Sequence, residues 1–151
     1  METKNEKTLA ALTHLSALSQ YFIPFGNFIF PIIIWSSKKD KSEFIDDQGK
    51  QVINFQLSIL IYSIILILIA IPVFSTVIFS SMDWNELMNN HELFWNNIDI
   101  ANNISLLTLG ILSILLVFAI KVIEFFLIVI AAISASEGKK YKYPLTINLI
   151  K

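Results

Sequence analysis

Few residues in this chain could do chemistry in an apolar environment, and two of them stand close together. Lys121 and Glu124 lie in the middle of the apolar run 106–135. Three positions apart on a helix, they share a face and can pair. A charge at the centre of a membrane helix costs about 2.5–3.5 kcal/mol on insertion scales, so such residues face a protein interior or a pathway. Two roles are open for them: an internally neutralised pair that holds a bundle together, or part of an ion or ligand path. Candidate polar neighbours are His14, Asn54 and Gln56, each set in or beside another apolar run. For Asn54 and Gln56, solvation at the membrane interface serves as well as interhelical hydrogen bonding.

Other chemistries lack their residues. With no Cys there is no disulfide, thiolate nucleophile or thiolate metal site. The four glycines build no phosphate loop, and neither His-Glu-x-x-His nor Gly-x-Ser-x-Gly occurs. His14 and His91 are far apart in the chain and fall on opposite expected faces of a membrane, so no metal and no cofactor is expected, and no catalytic residue. The chain also contains no Arg and has a formal net charge of −1, which leaves no basic stripe for nucleic acid. The expectation is a protein that is not an enzyme.

The elements that must position these residues are set by hydropathy. Hydrophobic residues make up 55% of the 151 and charged ones only 15%, with a mean hydropathy of +0.66, the composition of an integral membrane protein. A crossing takes about 20 helical residues. The runs 52–79 and 106–135 exceed that, and with their flanks they predict long helices over 44–79 and 104–138. The first run, 9–35, is interrupted by Pro24-Phe25-Gly26-Asn27 and again by Pro31. Its arms would extend about 22 Å and 13 Å at 1.5 Å per residue, so neither spans alone. It is either one kinked crossing or a helical hairpin broken at 24–27, with Pro24, Gly26 and Asn27 as the breaking residues.

Lysine placement favours the hairpin. Lys38, Lys39 and Lys41 follow the first run and Lys139, Lys140, Lys142 and Lys151 follow the last, while 80–103 has Asp83, Glu86, Glu92 and Asp99 but no Lys. The positive-inside rule then puts the Lys38 segment and the C-terminal tail, 139–151, in the cytoplasm and the 80–103 loop outside. Lys4 and Lys7 put the N-terminal segment in the cytoplasm as well, which requires 9–35 to turn back. No cleavable signal peptide is expected before it. The expected architecture is a single all-α membrane domain in a bacterial inner membrane. Asp46 and Lys50 should pair at (i, i+4) where the first long helix begins. Trp84, Leu87, Met88 and Ile98 suggest an amphipathic helix in the outer loop. Gly138 should cap the last helix, with Tyr141 and Tyr143 at headgroup level and 145–150 as an extended tail on the cytoplasmic face.

Three segments carry a resemblance. HLSALSQYFIPFGNFIFPIIIW, KKDKSEFIDDQGKQVINFQLSILIY and IAAISASEGKKYKYPLTINLIK resemble the small bacterial membrane family grouped with the Tic-twenty subunit of the chloroplast protein-import translocon. The most specific pieces are Ile23–Asn27, Asp47-Gln48-Gly49-Lys50 with Asn54-Phe55-Gln56, and Tyr143–Ile147. The resemblance implies four helical segments, both termini on one side, and no catalytic residues. The leading expectation is a non-enzymatic scaffold or accessory subunit of a membrane assembly, translocon-like by that resemblance. Its partners would be the lipid bilayer and other membrane proteins or further copies of itself. The alternative is a small oligomeric channel or transporter for ions, protons or a small solute, with its path around Lys121, Glu124 and His14.

Overall fold

A computed structural model describes residues 2–80 and 104–151, and every regular element among them is helical. Helix α1, Lys4–Ser16, opens with a reciprocal cap: Glu6 N–H donates to the Thr3 hydroxyl at 3.3 Å while Thr3 N–H donates to the Glu6 carboxylate at 2.7 Å. A 3-10 turn, Ala17–Tyr21, continues it. The chain then reverses through residues 22–25, where Phe25 takes the left-handed conformation with φ 60°. Helix α2, Gly26–Lys38, packs back on α1. After a second 3-10 turn, Lys39–Lys41, helix α3 runs Glu43–Ser80 and helix α4 runs Ile104–Ser136. The segment 80–103, with its expected amphipathic helix and His91, falls outside the described residues from Ser81 onward.

The first apolar run is thus a hairpin, and its details differ from the sequence expectation in two ways. Gly26 and Asn27 already belong to the first turn of α2, so the reversal itself uses Phe22–Phe25. Gly26 is required by contact: a Cβ there would lie 2.9 Å from the Ser19 backbone carbonyl. Pro31 does not interrupt α2. It sits inside the helix, fully buried, and packing of its ring offsets the loss of one backbone hydrogen bond.

The described chain forms two compact units. The first comprises Met1–Ile61 and Ile120–Lys151, bringing together the hairpin, the first part of α3, the end of α4 and the tail. Ala17, Val52, Phe55, Ile59, Ile128, Ala131 and Tyr143 form its main apolar cluster, and Ala10, Phe44 and Ala135 a second. Ala10, Ala17, Ala131 and Ala135 recur among the larger side chains because helices in apolar surroundings gain stability by close backbone approach. Gly49 shows how close: a Cβ there would overlap the Trp35 ring, so α2 lies directly across α3. Trp35 Nε1 donates to Asp46 at 2.9 Å, and Lys50 pairs with the same carboxylate at 2.6 Å.

The second unit, Tyr62–Ala119, holds the remainder of α3 and the beginning of α4. Gly110 lets Phe74 and Val73 approach. Ile65, Leu68, Ile71, Ile111, Leu115 and Phe118 turn outward and are at least half exposed. Ser75, Thr76, Thr108 and Ser113 satisfy their hydroxyls on the carbonyl four residues back. A surface of this kind suits hydrocarbon, where any unsatisfied polar group is costly. Both α3 and α4 are long and apolar enough to cross a membrane, and only 17% of the most apolar window of each is buried within the chain.

Helix α4 ends where Gly138 adopts φ 82°, with Gly138 N–H donating to Ala135 O at 2.9 Å and Lys139 N–H to Ser134 O at 3.0 Å. The tail beyond it folds back along α3 without regular structure. If Gly49 is the point that sets the α2–α3 distance, Gly49→Ala should lower thermal stability in detergent by an amount typical of overpacking, about 1–3 kcal/mol. The neighbouring exchange Lys50→Gln, at a partly exposed ion pair, should have a much smaller effect in the same melting experiment.

Candidate functional site

Polar side chains within the first unit gather at four junctions, each tying together segments far apart in sequence. The ion pair is the first. Lys121 Nζ donates to Glu124 Oε2 at 2.8 Å, and the Glu124 side chain is completely buried while that of Lys121 is 38% exposed. The other carboxylate oxygen accepts from Gln20 Nε2 at 2.9 Å, and Lys121 also donates to Gln20 Oε1 at 3.4 Å. Gln20 comes from the 3-10 turn at the tip of the hairpin. An α4 carboxylate is thereby closed by its own helix on one side and by the hairpin on the other. A buried charge needs both a counter-charge and hydrogen bonds to its remaining lone pairs, and this arrangement supplies them.

The second junction is built on His14. Its Nδ1 lies 2.8 Å from the Tyr143 hydroxyl and its Nε2 3.1 Å from Gln48 Oε1. An amide oxygen can only accept, so Nε2 carries the proton and Nδ1 accepts from the phenol: the ring is neutral and its tautomer is set by its partners. Gln48 Oε1 also accepts from Tyr141 N–H at 3.2 Å, and Gln48 Nε2 donates to Asp47 at 2.9 Å. Phe55 stacks on the Tyr143 ring with centroids 4.0 Å apart and planes 7° from parallel. Burial depresses the His14 pKa to about 4, with the Gln48 hydrogen bond working the other way. Burial also holds the Tyr143 phenol well above its usual range, aided by Tyr141 and Glu124.

At the third junction Asn54 acts as a backbone mimic. Its Oδ1 accepts from Leu149 N–H at 3.1 Å and Ile150 N–H at 2.8 Å, and its Nδ2 donates to Ile150 O at 2.9 Å. One turn on, Ser58 Oγ accepts from Ile147 N–H at 2.8 Å. A helix thus provides the hydrogen bonds that a neighbouring strand would give an extended segment. At the fourth, Asn27 Nδ2 donates to Gln56 Oε1 at 2.8 Å, fixing the start of α2 to α3.

His14, Asn54 and Gln56, expected as neighbours of the ion pair, therefore bond elsewhere, and the pair's amide partner is Gln20. Helical periodicity could not foresee this, because the reversal at residues 22–25 carries Gln20 to α4 while His14 faces α3 and the tail. Tyr143, expected at headgroup level, is buried in the core. Gln48, Ser58 and Tyr143 were functionally silent in sequence terms. Their signal was the presence of Gln48 and Tyr143 in the motifs that carried the family resemblance. No cluster of three or more potential metal ligands occurs among the described residues.

Chemically, these junctions cross-link helices. Replacing Lys121 by Met leaves a buried carboxylate with one amide donor, a change of the class that costs about 3–5 kcal/mol. Lys121→Met should therefore melt well below Glu124→Gln in detergent, and the double variant should recover most of the loss. Equal melting of all three would show that the pair carries no load.

The His14 junction has its own pH signature. Its folded-state pKa, about 4, is below the unfolded value of 6.5, so the unfolded chain binds the extra proton first. The stability contributed by neutral His14 is complete above pH 6.5 and declines as pH falls toward 4. Melting curves at pH 7.5 and pH 5 should show this loss in the native chain, and His14→Gln, which cannot titrate, should show a smaller one.

The family model for magnetosome magnetite crystal formation proteins, MamF/MmsF, matches residues 5–150. No curated protein and no solved structure matches the chain. The expectation of a small bacterial membrane family stands at that level. The link to the chloroplast translocon subunit finds no support in these matches.

Proposed function

We propose, from the premise that this chain belongs to the MamF/MmsF family of magnetosome magnetite crystal formation proteins, that it is a non-enzymatic scaffold or accessory subunit of an assembly in the magnetosome membrane. The observation that carries this reading is the closure of Glu124. Both of its oxygens are occupied by groups of the same chain, as a structural lock requires. The other three junctions are of the same kind, each joining the hairpin or the tail to α3. A rigid end of this sort, with apolar helices continuing from it, suits a protein whose task is to hold neighbours in place.

In this reading both termini lie in the cytoplasm, α3 and α4 cross the membrane, and the loop 80–103 faces the opposite side. Supporting it, Lys140 pairs with Glu43 at 3.2 Å and the Lys7 side chain reaches Gly138, so the N-terminal segment, the start of α3 and the end of α4 share one end of their unit. The lysines gathered there give that end its cytoplasmic side. The second reading, an oligomeric channel or transporter, is favoured by one observation: Lys121 remains 38% exposed beside Glu124.

Purification from the native membrane in mild detergent separates the two. A scaffold should retain other magnetosome membrane proteins, and cells lacking it should form magnetite crystals of altered size or number by electron microscopy. A pure homo-oligomer that conducts ions after reconstitution, and loses conductance in Lys121→Met/Glu124→Gln, would overturn the scaffold in favour of the channel. Because the chain has no Cys, single cysteines at positions 4 and 90 test the topology: only the second should react with an impermeant reagent added from outside.

A further inference from the structure

Helix α2 has an outward face that the bundle does not use. Ile29, Phe30, Ile32 and Ile33 are exposed on one side of it, Ile33 by 58%. The stripe ends at Ser36 and Ser37, whose hydroxyls return to the Ile33 and Ile34 carbonyls at 3.2 and 2.7 Å. Directly beyond stand Lys38, Lys39 and Lys41, all exposed, with the 3-10 turn Lys39–Lys41 holding them close. Among the described residues none of the three makes an ion pair within 4.0 Å, whereas the nearby Asp46 and Glu43 are taken by Lys50 and Lys140. Asp40 alone shares the turn, which leaves it a net positive charge. The turn is anchored: Lys39 Nζ lies 5.2 Å from the centre of the Trp35 ring, and Trp35 is in turn held by Asp46.

We infer that Lys38, Lys39 and Lys41 form a binding site for the phosphate headgroup of an anionic phospholipid whose acyl chains lie along Ile29, Phe30 and Ile33. From Ile29 to Lys38 the helix rises about 13 Å. That is close to half of a hydrocarbon core of about 30 Å, so the apolar stripe matches a single leaflet. A free phosphate would satisfy the lysines but not the stripe, and a zwitterionic lipid would satisfy the stripe but not the net charge. Each Lys at an anionic surface strengthens binding by roughly fivefold. The inference rests on the membrane reading given above, but not on which side of the membrane is cytoplasmic.

The test is thermal melting of the full chain in detergent with added phosphatidylglycerol, phosphatidylcholine or inorganic phosphate, together with native mass spectrometry of retained lipid. Phosphatidylglycerol should raise the melting temperature and be retained in preference to phosphatidylcholine. The triple variant Lys38→Gln/Lys39→Gln/Lys41→Gln should weaken that binding on the order of 100-fold. The variant Lys139→Gln/Lys142→Gln/Lys151→Gln removes the same charge elsewhere and should bind as the native chain does. Should the first triple fold poorly, Lys38→Gln/Lys41→Gln keeps the Lys39–Trp35 contact and should still lose most of the preference. Equal binding of the two lipids, equal loss in both triples, or equal stabilisation by inorganic phosphate would each overturn the site. Failure of the chain to enter lipid nanodiscs would instead count against the membrane reading itself.

Discussion

Hydrocarbon offers no hydrogen bonds, and the arrangement of this protein follows from that constraint. A helix meets it for its own backbone, so spanning segments are helical; the side chains and irregular segments must be provided for separately. In the second unit this is done residue by residue at Ser75, Thr76, Thr108 and Ser113, whose hydroxyls return to their own helix. In the first unit it is done between segments. Glu124 is closed by Gln20 and Lys121, His14 by Gln48 and Tyr143, and the non-helical tail by Asn54 and Ser58.

The same constraint explains why the polar residues cross-link so many elements. Water would otherwise compete for each amide and make such a contact worth little. Where water is excluded, leaving a buried partner unmatched is expensive, so each junction fixes the position of whichever segment supplies the missing group. Apolar packing does the complementary work. Gly26, Gly49 and the buried alanines set how near the backbones lie, and the polar junctions set which residues face one another.

How far the sequence discloses this differs by level. The two long helices, the early hairpin and the glycine stop at 138 are written in hydropathy runs, Pro-Gly punctuation and lysine clusters, all of them local signals. So is the Asp46–Lys50 pair, four residues apart on one helix. The fine placement of the hairpin is less legible, because Pro31 reads as a helix breaker yet is accommodated inside α2 by burial. The junctions are not legible at all beyond the Lys121–Glu124 contact. Gln20 pairs across 101 and 104 positions and Tyr143 across 129, distances at which periodicity carries no information. Polar residues in apolar runs announce that partners exist without saying which.

The tail has a consequence for the order in which the molecule can be made. His14 and Gln48 are synthesised early, but the phenol and backbone N–H that complete their hydrogen bonding arrive with Tyr143 and Tyr141, on the far side of both long helices. Until then His14 Nδ1, the Asn54 amide and one acceptor site of Ser58 Oγ lack the partners that the tail supplies, while His14 Nε2, the Gln48 amide nitrogen and the Ser58 hydroxyl are already bonded within the earlier chain. The Gln20–Glu124 and Asn27–Gln56 contacts need no tail residue, so the hairpin can be fixed first, and Tyr141–Ile150 then complete the two remaining junctions. A chain interrupted before Tyr141 would keep the hairpin lock at Glu124 yet leave two polar seams on α3 open, so the tail acts as the closing strip of a bundle whose other fastenings precede it.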